Sequence, residues 1–204
     1  VESAVVSQGT AENDKLIGWS GNDIMHGGAG NDTLDGGTGI NHLYGGEGDD
    51  TLMVNYNARD NVFEGGKGND TLHGSYNSDT YVFNLGDGQD TIVETGSNTD
   101  AVDVLRFGTG IVAGDIQVQK RGTDLVFAHA NGLDQVLVKN WFSSNTNSLH
   151  GATPSARLER VEFADGTAWT QKQVESAVVS QGTAADDKLI GWSGNDIMHG
   201  GAGN

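Results

Sequence analysis

Large apolar residues recur singly along the first half of this chain, at Leu16, Met25, Leu34, Leu43 and Leu52, one in every nine positions. The phase slips and resumes at Phe63, Leu72 and Tyr81, then slips again before Ile92 and Leu105. A period of nine matches neither an amphipathic helix nor a long alternating strand. Each apolar residue sits inside a three-residue segment, enough for one short strand with one inward side chain. The six preceding residues are glycine-rich and end on Asp or Asn, which is turn chemistry. The pattern predicts coils of 18 residues, two strands and two turns each, stacked around a narrow apolar core. Further on, Ile116/Val118, Leu125/Phe127, Val136/Val138 and Leu158/Val161/Phe163 read as strands with turns between them. Trp141, Phe142 and Trp169 give that region a core that the coils lack, and Ser143–Pro154 reads as a polar loop. Thr170 is placed to cap a short helix over Gln171–Val178.

Written out, the repeat is Gly-Gly-x-Gly-x-Asp-x-U-x, with U apolar. Full copies begin at Gly27, Gly45 and Gly65, and looser ones at Gly9, Gly18, Gly36 and Gly74. Insertions at Val54-Asn55 and Phe83-Asn84 precede degenerate copies at Tyr56–Glu64 and Leu85–Val93, and Asn98–Arg106 is the last. Stacking gives two columns of turns. One carries Asp14, Asp32, Asp50, Asp70 and Asp90; the other carries Asp23, Asn41, Asn61, Asp79 and Asp103. Neighbours in a column lie roughly 4.8 Å apart. Two carboxylates at that distance repel by roughly 3 kcal/mol at an effective dielectric near 20. One buried leucine supplies about 2 kcal/mol per repeat, while ordering nine residues costs about 1 kcal/mol each or more. A column of aspartates therefore calls for cations between its members, and the chain is expected to fold only with metal.

The expected ligands are the carboxylates and carbonyls of the glycine turns, namely Gly18, Gly27, Gly28, Gly30, Gly45, Gly46, Gly48, Gly65, Gly66 and Gly68. Hard oxygens on flexible loops suit Ca²⁺ better than Mg²⁺, and zinc prefers nitrogen or sulfur. Four gaps per column predict four to eight Ca²⁺ ions, the sites beside Asn41 and Asn61 being weaker or empty because asparagine brings no charge.

Composition narrows the function classes. A net charge of −17 argues against nucleic acid or an anionic membrane as partner and for cations. No cysteine is present, so no disulfide can staple the fold, and no apolar run reaches membrane-span length. The glycines, 32 against a single proline, do not fall every third residue, which excludes collagen. Val1–Asn31 recurs as Val174–Asn204, differing only at Glu12/Ala185 and Asn13/Asp186. This predicts tandem units of about 173 residues, with both ends of the chain lying inside a longer array.

Residues 9–107 resemble the haemolysin-type calcium-binding (RTX) repeat region. The resemblance implies an all-β, right-handed parallel β-roll with Ca²⁺ between its turns. Asp79-Thr80-Tyr81-Val82-Phe83 with Gly86-Asp87-Gly88-Gln89-Asp90 resembles the usual ending of such a roll. Asp124-Leu125-Val126, Val136–Phe142 and Val161–Thr170 are similar to the domain that often follows it. The expected organisation is the end of a preceding linker helix at 1–8, the roll at 9–107 and a β-rich cap at 108–170. A short helix and linker at 171–181 and a truncated second roll at 182–204 complete it. The family implies a bacterial protein secreted unfolded by the type I machinery, folding on extracellular calcium as part of an adhesin or toxin and touching neighbouring tandem units. Two alternatives stand beside this: a carbohydrate- or surface-binding role for 108–170, with a surface glycan as partner, and the C-terminal secretion and folding region of an RTX enzyme. The chain itself shows no GxSxG, no HExxH and no isolated acid pair, so no catalytic residue is assigned. His26, His42, His73 and His199 read as exposed strand positions, and Trp19 and Trp192 as a cover packed on the preceding helix.

Overall fold

The computed structural model describes residues 6–95, 100–143, 157–181 and 197–202. The chain winds as a solenoid between two sheets. One sheet holds β1 (Val6–Gln8), β3 (Ile24–Ala29), β5 (His42–Glu47), β7 (Asn61–Lys67), β9 (Asp79–Phe83), β11 (Val104–Phe107), β15 (Arg160–Phe163) and β16 (Ala168–Thr170). The other begins with β2 (Lys15–Ile17), β4 (Thr33–Asp35), β6 (Thr51–Met53), β8 (Thr71–His73) and β10 (Gln89–Val93). It continues through β14 (Gln135–Val138), β13 (Asp124–His129), β12 (Ile116–Arg121), β17 (Val179–Gln181) and β18 (Ile197–His199). All pairings from β1 and β2 up to β11 and β10 are parallel, whereas β12–β13, β13–β14 and β15–β16 are antiparallel. The fold is the expected parallel β-roll followed by antiparallel strands and one short helix.

The register follows the repeat. Leu16, Leu34, Leu52, Leu72 and Ile92 stack in one sheet, and Met25, Leu43, Phe63, Tyr81 and Leu105 in the other. Apart from Leu16, which lies in the end coil and is half-buried, all are buried to 2% exposure or less. Pairing resumes in phase after each insertion, although Phe83 of the second one lies within β9 and pairs with Phe107. Phe83 and Phe107, which the nine-residue pattern did not single out, are also buried and meet edge-on.

The region after the roll does not have a core of its own. Trp141, Phe142, Val161, Phe163 and Val174 join one cluster with Met25 through Leu105. β14 pairs with β10 and β15 with β11, so the two sheets are prolonged rather than plugged. Helix α1 (Gln171–Ser176) is capped by Thr170, whose hydroxyl accepts from the Gln173 N–H, and it stops two residues short of the expected Val178. Val6–Gln8, read from sequence as the end of a helix, is a strand because it pairs with Ile24–His26. Val1–Val5, all but the first residue of the Ser143–Pro154 loop, Trp192 and most of the second roll lie outside the described residues.

The glycines are needed for contact as well as for conformation. Gly46 has φ 123°, and a Cβ there would lie 2.0 Å from the Gly28 carbonyl oxygen of the coil below. Gly46→Ala is expected to destabilise the calcium-loaded fold by about 2 kcal/mol or more, through left-handed strain plus the clash. A thermal melt followed by circular dichroism measures it, and an unchanged midpoint would mean that the turns can separate.

Candidate metal centre

The turns of the first column are tied by a ladder of backbone-to-carboxylate bonds. The N–H groups of Asp14, Asp32, Asp50 and Asp70 donate to Oδ1 of the next aspartate, Asp32, Asp50, Asp70 and Asp90, at 2.8, 2.7, 2.7 and 3.1 Å. A second ladder runs the opposite way one residue earlier, where the N–H groups of Asn31, Asp49 and Asn69 donate to Oδ1 of Asn13, Asn31 and Asp49. Sequence reading missed this second ladder, although its signal was an Asn or Asp at the fifth position of the same repeats.

The remaining carboxylate oxygens decide what the column can hold. Oδ2 of Asp32, Asp50, Asp70 and Asp90 is buried and accepts no hydrogen bond from the protein. Such an atom is costly to bury unless something positive meets it. In the Gly-Gly turns Oδ2 and a carbonyl converge over the first glycine. A Cβ on Gly27 would lie 2.3 Å from Asp32 Oδ2 and 2.5 Å from the Gly45 carbonyl oxygen. One on Gly45 would lie 2.3 Å from Asp50 Oδ2 and 2.4 Å from the Gly65 carbonyl oxygen. The glycines thus leave open a cradle of hard oxygens. No three His, Cys, Asp or Glu side chains cluster as a metal site among the described residues. An ion here must draw most of its ligands from backbone carbonyls, an oxygen set that suits calcium.

At two turns in which the second glycine is replaced, the turn closes on itself. Thr10 occupies that place beneath Asp14, and its N–H and hydroxyl both donate to Asp14 Oδ2, at 2.7 and 2.8 Å. Ser75 does the same beneath Asp79, with an N–H bond of 2.7 Å to Oδ2.

The second column is closed largely by protein hydrogen bonds. Asp23, Asn41, Asn61 and Asp79 donate their N–H groups to Oδ1 of Asn41, Asn61, Asp79 and Asp103. The Asn41 and Asn61 amides donate as well, to Asn61 Oδ1 at 3.2 Å and Asp79 Oδ1 at 2.7 Å. The two side-chain amides do there what a cation would otherwise do, while Oδ2 of Asp103 stays buried without a hydrogen bond. Above Gly74 the cradle is filled by the Tyr81 hydroxyl, which donates to Glu94 Oε1. The ladder ends on Glu159, whose Oε2 accepts the Asp103 N–H at 2.7 Å. Glu159 was missed from sequence, yet Glu159-Arg160-Val161 repeats the Asp-x-U pattern of Asp103-Val104-Leu105, and Leu105 and Val161 pair.

Burial raises the carboxyl pKa along the first column, to about 6 at Asp50, about 7 at Asp70 and about 8 at Asp90, with repulsion from neighbouring aspartates adding to it. Asp103 rises to about 8 from burial and the charges of Glu159 and Asp79. Asp87 rises to about 6, chiefly from burial.

The aromatic residues considered for ligand stacking are differently placed. Trp141 is fully buried, and Trp169 is half-buried edge-on to Phe163. Trp19 is 76% exposed at φ 66°, and the preceding segment expected to cover it lies outside the described residues. His26 is half-buried and stacks on Tyr44 at 4.7 Å, His42 and His73 are half-buried, and His199 is exposed.

Comparison with known families agrees with this geometry. The model of the RTX calcium-binding nonapeptide repeat matches residues 6–34, 26–55, 56–92 and 179–204, together more than half of the chain. The model of the haemolysin-type calcium binding protein related domain matches residues 124–173. Among solved structures, the extracellular lipase LipA from Serratia marcescens is 18% identical with a TM-score of 0.40. The match covers 74% of this chain and 39% of the lipase chain. No curated protein matches. The nonapeptide itself is a calcium-binding structural element, and this chain belongs to the RTX calcium-binding nonapeptide repeat family.

Proposed function

We propose that the chain is a calcium-folded structural module of a large secreted bacterial RTX protein of adhesin or toxin type, and not itself an enzyme. The observation that carries this reading is the row of buried, unpartnered carboxylate oxygens on Asp32, Asp50, Asp70 and Asp90. The three gaps between these four residues are the principal Ca²⁺ sites, with carbonyls of the Gly27, Gly45 and Gly65 turns completing them. The Asp14 gap is weaker, because Thr10 already occupies one oxygen of Asp14. Asn41, Asn61 and Asp79 hold the second column by hydrogen bonds, so ion occupancy lies toward the lower end of four to eight. Exported unfolded through type I machinery into extracellular calcium, such a module would fold outside and oppose return into the channel. Tandem copies would form a stalk or spacer.

The test is a far-ultraviolet circular dichroism titration with Ca²⁺, with Mg²⁺ as control. A cooperative gain of β signal specific to Ca²⁺, at about 0.1–1 mM, is expected. A full β spectrum in excess chelator would overturn calcium-driven folding.

A further inference from the structure

We propose that the N-terminal edge of the roll is a docking surface for a second copy of this unit. Consecutive units join by laying β1 of one onto β12 of the unit before it, as one uninterrupted sheet. This deepens the tandem-module reading and rests on it.

The junction is visible within the chain. β17 and β18 repeat the residues of β1 and of the start of β3. The pairs Val179↔Ile197, Ser180↔Met198 and Gln181↔His199 reproduce Val6↔Ile24, Ser7↔Met25 and Gln8↔His26 at the 173-residue offset. β17 is therefore the β1 of the next unit, and it pairs in parallel with β12 through Gln119↔Val179 and Lys120↔Ser180. The region after the roll does not end the sheet; it presents β12 as a template, and the next unit starts there.

Among the described residues the matching surface at the other end has no such neighbour. β1 is the terminal strand of its sheet among the described residues. Around it Val6, Ile17, Trp19 and Ile24 are 69%, 40%, 76% and 40% exposed. An open strand edge beside exposed apolar side chains invites strand addition unless it is covered. The near-identity of 1–31 and 174–204 says what covers it: the β12 edge of a preceding copy. The link is short, because Val174 and Val178 of the connecting segment are buried in the core of the unit before. The two sheets also exchange roles at each junction. β12 belongs to the sheet that contains β2, while the equivalent of β1 starts the sheet that contains β3 and β5.

In this chain β12 is already occupied by its own β17, which sets up the test. Sedimentation velocity in calcium should find the whole chain monomeric. A chain ending at Val178 should associate head to tail at about 100 µM, because the free β12 of one molecule and the β1 of another form an open, heterologous contact. Adding Gln8→Pro to the shortened chain removes an outward edge N–H, since the neighbouring Gly9 N–H points inward to the His26 carbonyl, and should abolish association. A shortened chain that is folded by circular dichroism yet monomeric would overturn the proposal. Should the shortened chain not fold, the whole chain with Val179→Pro and Gln181→Pro is compared with its parent by hydrogen exchange. Loss of protection at the Lys120 amide, which faces β17, is expected, and unchanged protection would overturn the proposal. Calcium-driven folding is read separately by circular dichroism, so a folded monomer refutes the junction without touching the calcium module.

Discussion

Asp50→Asn is expected to raise the calcium concentration at the folding midpoint by about 10–100-fold. The substitution is chosen because it keeps the ladder. An amide Oδ1 can still accept the Asp32 N–H that Asp50 accepts now, so a purely structural role would survive. What is lost is one negative charge, and one anionic oxygen, at two consecutive gaps: Asp32/Asp50 and Asp50/Asp70. Asn41 and Asn61 show how the protein behaves with amides in these positions, since their N–H₂ groups bond to the neighbouring turn. Asp50→Asn should therefore convert part of the first column into something like the second, closed by hydrogen bonds and less dependent on the ion. Asp165→Asn is the control. It removes the same formal charge from a turn far along the chain, where Asp165 caps the Thr167 N–H. Its effect on the midpoint should be within about twofold, because exposed charges are screened beyond roughly 10 Å. Equal shifts from both variants would mean that net charge, not occupancy of the column, governs the calcium requirement.

In chelator, where the chain is unfolded at neutral pH, lowering the pH from about 8 to about 4 should shift the equilibrium toward the fold. Asp50, Asp70 and Asp90 have folded pKa values of about 6, 7 and 8, raised first of all by burial. An unfolded aspartate ionises near 3.9. Between these limits the folded chain holds more protons than the unfolded one, so the free energy of unfolding falls as the pH rises. The proton-linked stability is fully present below about pH 4. It is lost progressively as the pH climbs through the folded pKa values of 6 to 8. Each tenfold difference in proton affinity corresponds to about 1.4 kcal/mol, so the three groups together shift stability by several kcal/mol. Protons and calcium then compete for the same oxygens, and the apparent calcium affinity should rise over the same pH range. The circular dichroism β signal in chelator at a series of pH values measures the first effect. Calcium titrations at those pH values measure the second. A β signal in chelator that is smallest at pH 4 would show that the carboxylates are not buried as neutral acids.

The repeat makes the roll legible in the sequence. Turn glycines at fixed spacing and one apolar residue per nine specify a coil whose inward row is Met25, Leu34, Leu43 and Leu52, and all four are fully buried. The insertions were legible for the same reason, since the register must recover for Leu52 to meet Leu72. The first column was legible as a row because one aspartate falls at the same place in each coil, and the N–H of each meets the carboxylate of the next.

The second column was only half legible. Asn41 and Asn61 can offer either an oxygen or an N–H, and a sequence does not say which side faces the neighbouring turn. Ser75 and Thr10 likewise became significant only when their N–H groups proved to sit on Asp79 and Asp14. The Tyr81–Glu94 pair joins residues 13 apart that meet only because the coil brings them over Gly74.

By itself, then, the sequence determined the solenoid, its period, its inward row and the ion that the aspartate column calls for, because each of these is a local rule repeated in phase. Only the tertiary structure decided which carboxylate oxygens remain without a partner, and that the region after the roll prolongs both sheets instead of closing them. It also decided that β17 grows from β12. Those outcomes depend on contacts between residues far apart in the chain, such as Asp103 with Glu159 and Lys120 with Ser180, for which no local spacing rule exists.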